Sequence, residues 1–300
     1  MSSLSLSERY PRRATSWRLR TRMLHFSRRP LLMGIINVTP DSFSDGGKFF
    51  SIEAAVEQAL RLADEGADLL DIGGESTRPY SDPVSTEGEL GRITPVFEAL
   101  ANRVSIPLSI DTSKSAVAKA ALAAGAEIIN DVTALTGDPA MLQLAADSAA
   151  GICAMHMQGT PQTMQDSPHY YDVVREVREY LRSRLEALVA AGIAAERVCL
   201  DPGIGFGKTH QHNLTLMAHC DQLHELGRPL LVGHSRKGFL GELLDDKQAD
   251  RTSATVGAAL SLAVQGVQVI RVHDVRGVRE ALLAFDATGG NDGQEIQLAE

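Results

Sequence analysis

The stretch LLMGIINV, residues 31–38, is the part of the chain that decides its fold class. It is an apolar run that carries one polar side chain near its end, Asn37, and an amphipathic stretch follows at Ser51–Glu65, with Ser51 placed to cap a helix. A second apolar run, Asp68–Ile72, comes next. An apolar strand without polar alternation is buried on both faces, which is typical of a parallel sheet covered by helices. The segment therefore predicts a β/α unit.

The same unit recurs along the chain. Its apolar runs are Leu31–Val38, Asp68–Ile72, Pro107–Ile110, Glu127–Asn130, Gly151–Met155, Arg197–Leu200, Pro229–Val232 and Val267–Val272. Its helical stretches are Ser51–Glu65, Thr86–Asn102, Lys114–Ala124, Pro139–Ala149, Asp172–Ala191, Asn213–Leu226, Asp250–Gln265 and Val275–Ala287. Eight such units in about 250 residues predict an α/β fold, a single-domain (β/α)8 TIM barrel. An open doubly wound sheet is the alternative, disfavoured because the sequence has no Rossmann glycine fingerprint.

The two ends of the chain differ from this repeat. Residues 1–30 form a basic extension with eight arginines and one glutamate, and a short hairpin around Trp17–Phe26 is expected to close the barrel bottom. The rest of this extension is expected to fray, and because residues 1–14 have no apolar periodicity to bury, their removal is expected to leave folding and activity nearly unchanged. An organelle transit peptide is the alternative for such an Arg-rich, acid-poor start. The barrel is assigned to residues 31–288 and a polar tail to residues 289–300.

Composition limits the partners. The net charge is -9, and beyond residue 30 the chain carries 21 basic and 37 acidic side chains, which argues against nucleic acid. The three cysteines are widely spaced, which fits a reducing, cytoplasmic compartment. No apolar run reaches the length of a membrane span, so no membrane partner is expected.

Polar residues that directly follow a barrel strand form the active site of such folds. Nearly every predicted strand of this chain ends in one. They are Asn37, Asp71, Asp111, Asn130 and Asp131, His156, Asp201, the run Ser235-Arg236-Lys237, and Arg271 with His273. A ring of buried charges is costly unless its members are paired or bind a ligand. Two other patterns are set aside: Pro202 breaks a P-loop in the glycine-rich segment 203–208, and His210 with His212 has no carboxylate partner nearby.

These strand-end segments carry a resemblance to the dihydropteroate synthases, over about residues 31–288. The motifs are MGIINVTPDSFSDGG at 33–47, DIGGESTRP at 71–79, LSIDT at 108–112, INDV at 129–132, MHMQG at 155–159, LDPGIGFGK at 200–208, VGHSRK at 232–237 and IRVHD at 270–274. The resemblance implies condensation of a pterin pyrophosphate, (7,8-dihydropterin-6-yl)methyl diphosphate, with 4-aminobenzoate to give 7,8-dihydropteroate in folate biosynthesis. It also implies a homodimer and competition by sulfonamides.

The resemblance also implies a role for each site residue. The pterin-binding residues are Asp111, Asn130, Met155, Asp201 and Lys237. The diphosphate-binding residues are Asn37, Thr77, Arg271 and His273, and Mg²⁺ is expected on Asn37 and Asp45. The aminobenzoate-binding residues are Phe43, Thr77, Arg78, Pro79, Phe206, Ser235 and Gly238. The catalytic residues are Asp111, Lys237, Arg271 and His273, since they face the charges that develop as the diphosphate leaves.

Two loops, Thr39–Lys48 and Glu75–Thr86, have the composition of lids and are expected to close over the aminobenzoate. The chain departs from the family at two positions. Many members have serine where Gly238 stands, which leaves only backbone donors for the acceptor carboxylate, and a small or apolar residue where His234 stands.

Three other functions stay open at this point. One is a pterin-binding methyltransferase, which would lack the Ser-Thr-Arg-Pro loop. Another is a Schiff-base aldolase that uses Lys237. The last is a paralogue that binds pterin without turnover.

Overall fold

A computed structural model describes residues 4–39 and 48–291, without the side chains of residues 48–51. The barrel strands are β3 (Leu31–Asn37), β4 (Leu69–Gly73), β5 (Leu108–Asp111), β6 (Ile128–Asp131), β7 (Gly151–Met155), β8 (Val198–Asp201), β9 (Leu231–Val232) and β10 (Val269–Val272). These eight strands are parallel and pair in the order β8-β7-β6-β5-β4-β3-β10-β9, and a bridge from Leu200 in β8 to Leu230, just before β9, joins the two ends of the sheet. The sheet therefore closes on itself, and the predicted (β/α)8 barrel is confirmed.

Helices connect the strands on the outside of the barrel. They are α2 (Lys48–Asp64), α3 (Thr86–Leu100), α4 (Ser115–Ala123), α5 (Met141–Asp147), α6 (Val173–Ala190), α7 (His210–Ala218), α8 (Gly238–Leu243), α9 (Thr252–Val264) and α10 (Val275–Ala287). Each buries one apolar stripe against strands that are themselves fully buried, as Ile72, Ile110 and Ile270 are. This layer of helix on sheet forms the main core.

The predicted hairpin closes the base of the barrel, as expected. Strands β1 (Ser16–Arg18) and β2 (Met23–His25) pair antiparallel. Trp17 is fully buried among the inward side chains of the barrel strands, and its Nε1 donates to the carbonyl of Arg197 at 2.8 Å. The hairpin thus fills one end of the barrel with apolar side chains and leaves the other end for a ligand.

The expectation that the first fourteen residues are free of the barrel is wrong. Residues Leu6–Arg9 form a short helix, α1, and Leu6 is buried. Arg9 donates to the carbonyl of Val264 at 3.2 Å, and Arg13 donates through Nε to the carbonyl of Gly266 at 2.7 Å. These carbonyls lie at the C-terminal end of α9, where backbone acceptors have no partner within the helix. The arginines therefore bind the base of the barrel.

Several helix boundaries differ from the prediction. Helix α2 begins at Lys48, so Ser51 lies within it and is not its cap. The predicted helix Asn213–Leu226 is divided into α7 and a 3-10 helix at Cys220–Leu226, and α8 is an additional short helix before α9. Of the predicted polar tail, residues 292–300 lie outside the described part. Across the described residues, no helix is both long and apolar enough to cross a membrane.

Candidate active site

A guanidinium and two carboxylates meet at the carboxyl ends of the barrel strands. The Nε of Arg271, in β10, donates to the carboxylate of Asp71 at 2.6 Å, and its terminal nitrogen donates to Asp111 at 2.8 Å. Asp71 is fully buried in β4, and Asp111 ends β5. The structure thus brings together Asp111 and Arg271, which were predicted from widely separated motifs.

Asp71 accepts hydrogen bonds from two residues of this cluster. The Nδ2 of Asn130 donates to the same Asp71 oxygen at 3.0 Å, and the other oxygen of Asp71 is buried without a hydrogen-bond partner among the described residues. One buried carboxylate therefore orients both the predicted pterin ligand and the predicted diphosphate ligand. The sequence marked Asp71 as a polar strand end but gave it no role.

The ionisation of Asp111 is shifted by its surroundings. Burial raises the pKa of Asp111 to about 7, and Asp71, Glu89 and Asp131 add to the rise, whereas Arg271 opposes it. A carboxyl group with such a pKa exchanges its proton near neutral pH, which is common at catalytic sites.

Asp201 lies at the end of β8, where a glycine-rich turn begins. Its carboxylate is buried and accepts from the backbone N–H of Gly203 at 2.7 Å. Gly203 has φ +68, and a Cβ there would lie 1.8 Å from the carbonyl oxygen of His156, so only glycine fits. Burial raises the pKa of Asp201, while Gly203, Lys237, Arg271 and Lys208 lower it. Met155 is buried and pairs in register with Asp201 on the neighbouring strand.

Lys237 approaches the same turn from the end of β9. Its ammonium donates to the carbonyl of Ile204 and lies 4.6 Å from the centre of the Phe206 ring. Burial lowers the pKa of Lys237 to about 8. The predicted pterin ligand and the predicted aminobenzoate wall are therefore in direct contact, as a shared pocket requires.

His273 is held by Ser235. Its Nδ1 lies 3.0 Å from the hydroxyl of Ser235, which also accepts from the backbone N–H of His273 at 3.3 Å. Burial lowers the pKa of His273 to about 3, and the neighbouring cations Arg271, Arg236, Arg78 and Lys237 lower it further. The ring is therefore neutral, so it can donate a hydrogen bond to a diphosphate but brings no charge of its own. The concentration of cations around it marks this side of the pocket as the anion side.

The loop from β4 to α3 is hydrogen-bonded to the loop that follows β7. Thr77 is half-buried, whereas Arg78 and Pro79 are exposed. Tyr80 donates from its hydroxyl to Asp166 at 3.1 Å and from its backbone to the carbonyl of Pro161 at 3.1 Å. The loop that carries three predicted aminobenzoate ligands is thus tied to the segment after β7.

The predicted metal ligands are only partly within the described residues. Asn37 is half-buried at the end of β3, whereas Phe43 and Asp45 lie outside the described part. No group of three or more His, Cys, Asp or Glu that could hold a metal ion occurs in residues 4–39 and 48–291. The amide oxygen of Asn37 is a hard donor at the mouth of the barrel. It fits Mg²⁺ as an ion that takes one or two protein oxygens and completes its shell with water and phosphate.

The histidines outside the pocket have structural partners. His212 accepts at Nδ1 from the backbone of Thr209, which caps α7. The exposed His210 begins the same helix. His234 is fully buried, and its Nε2 lies 2.9 Å from the carbonyl of Thr255. The departure from the family at His234 is therefore accommodated by α9 behind the strand.

Comparison with known proteins agrees with this geometry. A family model described as pterin binding enzyme matches residues 33–273. The dihydropteroate synthase of Neisseria meningitidis serogroup C is 49% identical over 267 residues, 88% of this chain and 94% of that protein.

Two solved structures are similar over most of their length. One is Xanthomonas albilineans dihydropteroate synthase with 4-aminobenzoic acid, with a TM-score of 0.85 and 48% identity, covering 91% of this chain and 98% of that one. The other is Burkholderia cenocepacia dihydropteroate synthase complexed with 7,8-dihydropteroate, with a TM-score of 0.82 and 44% identity, covering 92% and 96%.

The fold and the site together define a barrel enzyme of the pterin-binding class. Within that class, the identity and coverage of its relatives show that the chain belongs to the dihydropteroate synthase family.

Proposed function

We propose that this chain is a transferase that condenses (7,8-dihydropterin-6-yl)methyl diphosphate with 4-aminobenzoate, giving 7,8-dihydropteroate and diphosphate. The observation that carries the proposal is the cluster of Asp111, Asp201, Lys237 and Arg271 at the carboxyl ends of the strands, in which Asp201 is buried and the other three are partly buried. A pterin presents donors and acceptors along one edge, and this cluster offers both. Membership of the dihydropteroate synthase family supports the same reaction.

In this proposal the pterin edge binds across the pocket. Asp201 accepts from the ring N3–H and the 2-amino group, while Asn130 and Asp111 complete the edge. Lys237 leaves the carbonyl of Ile204 and donates to the pterin carbonyl, and Met155 packs on the ring face. A ring without these donors would leave the buried acceptors of the site unpaired, which is costly. The site therefore selects a pterin.

The diphosphate lies on the anion side of the pocket. Arg271 has a further N–H group beyond those bound to Asp71 and Asp111, and neutral His273 adds one hydrogen bond. Thr77 and Asn37 border this side. Mg²⁺ on Asn37 and Asp45 would neutralise charge on the leaving diphosphate.

The C–O bond of the pterin methylene breaks, and its electron pair leaves with the diphosphate. The cation that remains is delocalised into the pterin ring, and the Asp111 carboxylate stabilises it electrostatically. The amine of 4-aminobenzoate attacks the methylene carbon and releases a proton. No enzyme nucleophile takes part.

The acceptor binds between the two predicted lids. Phe206 forms one wall, the loop of Thr77, Arg78 and Pro79 forms another, and Phe43 would close the site. The carboxylate of 4-aminobenzoate accepts hydrogen bonds from the hydroxyl of Ser235 and the backbone N–H of Gly238. Sulfonamides, which carry the same aniline group, would compete there. We also infer a homodimer, and the three buried, unpaired cysteines support a cytoplasmic location.

The decisive assay mixes the protein with pterin diphosphate, labelled 4-aminobenzoate and Mg²⁺ and measures labelled dihydropteroate. We expect Asp201→Asn to weaken pterin binding by roughly 2–4 kcal/mol, because an amide adds a donor that faces donors. Asp131→Asn is the matched control, since within the described part of the chain Asp131 accepts from Thr133, through its backbone and hydroxyl, and from the backbone of Leu135 and from nothing else. Wild-type protein that forms no labelled product would contradict the proposal.

A Schiff-base aldolase is the rival from another reaction class. Burial lowers the pKa of Lys237 to about 8, which would suit a Schiff-base lysine, so experiment must separate the two reactions. Trapping of a carbonyl substrate on Lys237 by borohydride would favour the aldolase.

A further inference from the structure

The turn at residues 203–207 has an unusual hydrogen-bond pattern. Each of its five successive carbonyls accepts a hydrogen bond from a side chain, and the carbonyl of Gly203 also accepts from the backbone N–H of Phe206 at 3.1 Å. The donors, in chain order, are Lys208 to Gly203, Lys237 to Ile204, Gln165 to Gly205, Lys208 to Phe206 and Tyr170 to Gly207. A turn this rich in glycine has little intrinsic preference for one conformation, so these side chains determine its shape.

Lys208 makes the largest contribution to this pattern. It is buried, with 2% of its surface exposed, and its ammonium lies 2.9 Å from the Gly203 carbonyl, 3.0 Å from the Phe206 carbonyl and 2.9 Å from Nδ1 of His156. An ammonium has three N–H donors and no acceptor, so the three contacts satisfy it completely. Burial and Lys208 lower the pKa of His156 to about 2, so its ring is neutral and Nδ1 can accept from the ammonium. Burial also lowers the pKa of Lys208 to about 7, so the full ammonium is present on the acid side of neutral pH.

No carboxylate is hydrogen-bonded to this lysine among the described residues. A buried cation held by carbonyls is costly to desolvate, and a neutral side chain of the same length would fill the space more cheaply. The ammonium binds the carbonyls of Gly203 and Phe206 at once and so fixes the distance between these two residues of the pocket. Gly203 donates to Asp201, and Phe206 lies under Lys237.

We propose that Lys208 is a positioning residue for the pocket: by binding the carbonyls of Gly203 and Phe206 it holds the pterin-binding carboxylate of Asp201 and the aromatic wall of Phe206 in register before any ligand arrives. This proposal rests on the proposed function in taking Asp201 as the pterin anchor and Phe206 as a wall of the acceptor site. Lys208 does not itself touch substrate. Its effect is on affinity for the pterin ring, through Asp201, and on affinity for the acceptor, through Phe206.

The test is calorimetric titration of folded protein with 6-hydroxymethyl-7,8-dihydropterin, which lacks the diphosphate and does not react. Lys208→Met is compared with Arg197→Met. Arg197 is the matched control because it is another buried cation bound to carbonyls, those of Ala150 at 2.8 Å and Ala145 at 2.6 Å, at the opposite end of the barrel. We expect the Kd to rise at least tenfold in Lys208→Met and to stay within twofold of wild type in Arg197→Met.

Equal Kd values in the three proteins would overturn the inference. Wild-type protein that does not bind the pterin at all would instead overturn the proposed function. Should Lys208→Met fail to fold, hydrogen exchange on the wild type decides. The amide of Gly205, which donates to Asn213 at 2.6 Å, is expected to be protected in the ligand-free protein. Rapid exchange there that slows only when pterin is added would mean that the ligand, and not Lys208, orders the turn.

Discussion

Arg271 and Asp71, two hundred residues apart in the chain, form the tightest ion pair of the pocket, with Nε 2.6 Å from the carboxylate. Asp71 is fully buried and has no direct route to a ligand, so its effect on catalysis passes through Arg271 and Asn130. We expect Asp71→Asn to lower kcat/KM roughly ten- to hundredfold. This corresponds to a loss of about 1–3 kcal/mol of transition-state stabilisation. Steady-state kinetics on the variant measures this.

Asp68→Asn is its control. Asp68 is a half-buried carboxylate at the base of the barrel that accepts from the backbone of Leu32 at 2.8 Å. Both variants are expected to lose stability in urea, but only Asp71→Asn should lose activity per folded molecule. A loss of equal size in both would show that the effect is one of folding.

The pH profile should report Asp111. Its pKa of about 7 means that the carboxylate, the form that stabilises the cation, is present above pH 7 and is lost as the pH falls through 7. We expect kcat/KM, which reflects the free enzyme, to fall about tenfold per pH unit below 7. His156, His234 and His273, with pKa values of about 2, 4 and 3, do not titrate near pH 7. Burial lowers the pKa values of Lys208 and Lys237 to about 7 and 8, but both lose their protons as the pH rises and so cannot cause a loss of activity on the acid side.

The substrate also carries a diphosphate that titrates in this region, so its own pKa is measured separately by phosphorus NMR. An acid limb that lies near pH 4 would mean that Asp111 ionises like an exposed aspartate.

The N-terminal arginines should contribute to stability. We expect Arg13→Ala to lose about 1–3 kcal/mol in chemical denaturation, because it breaks charged hydrogen bonds to the carbonyls of Gly266 and Ser27. Arg12→Ala, one residue away at an exposed position, should be neutral. Indistinguishable unfolding curves for the two variants would mean that the segment binds the barrel too weakly to matter.

The contact between Tyr80 and Asp166 should affect the KM for 4-aminobenzoate and leave the KM for the pterin substrate unchanged. Removing the hydroxyl in Tyr80→Phe frees the loop that carries Thr77, Arg78 and Pro79. We expect the KM for 4-aminobenzoate to rise about threefold, at most 1 kcal/mol for an exposed hydrogen bond, with the KM for pterin diphosphate unchanged. The control is Tyr171→Phe, because 91% of the Tyr171 side chain is exposed. Parallel changes in both KM values would place the contact outside the acceptor pocket.

Binding is also expected to be ordered, with 4-aminobenzoate gaining its site only after Mg²⁺ and diphosphate are bound. Asp45 and Phe43 are two residues apart, so a metal ligand at one fixes the aromatic wall at the other. Calorimetry of 4-aminobenzoate with and without Mg²⁺-diphosphate tests this; equal affinities would mean that the acceptor pocket is preformed.

The sequence predicted the barrel because buried parallel strands are apolar without interruption, and their polar ends then located the site. It failed where a distant side chain decides a local structure. The predicted helix Asn213–Leu226 is interrupted after Ala218, where Gln265 donates to the carbonyl of Met217 and accepts from the backbone of Asp221. Local propensity contains no information about a contact with a residue more than forty positions away.

The same limit applies to the site. Asn130, Asp201 and Lys237 could be found because each lies within or just after a strand end. The function of Asp71 depends on Arg271, on the far side of the sequence, and Lys208 follows a turn instead of a strand. Asp71 and Lys208 act on residues that bind ligand and do not bind ligand themselves. A single sequence has no pattern that would identify such a role.

The seam of the barrel joins the first strand of the sheet to the last, Leu31 to Val269, and the arginines near the start of the chain bind carbonyls beyond residue 260. During synthesis on the ribosome, β3 therefore emerges long before its partner β10 exists. Until then one side of β3 has unpaired backbone groups, and the base of the growing sheet lacks its arginine contacts. Such a chain is exposed to aggregation while it is being made, and its folding is expected to be slow and to depend on chaperones that shield unpaired edges.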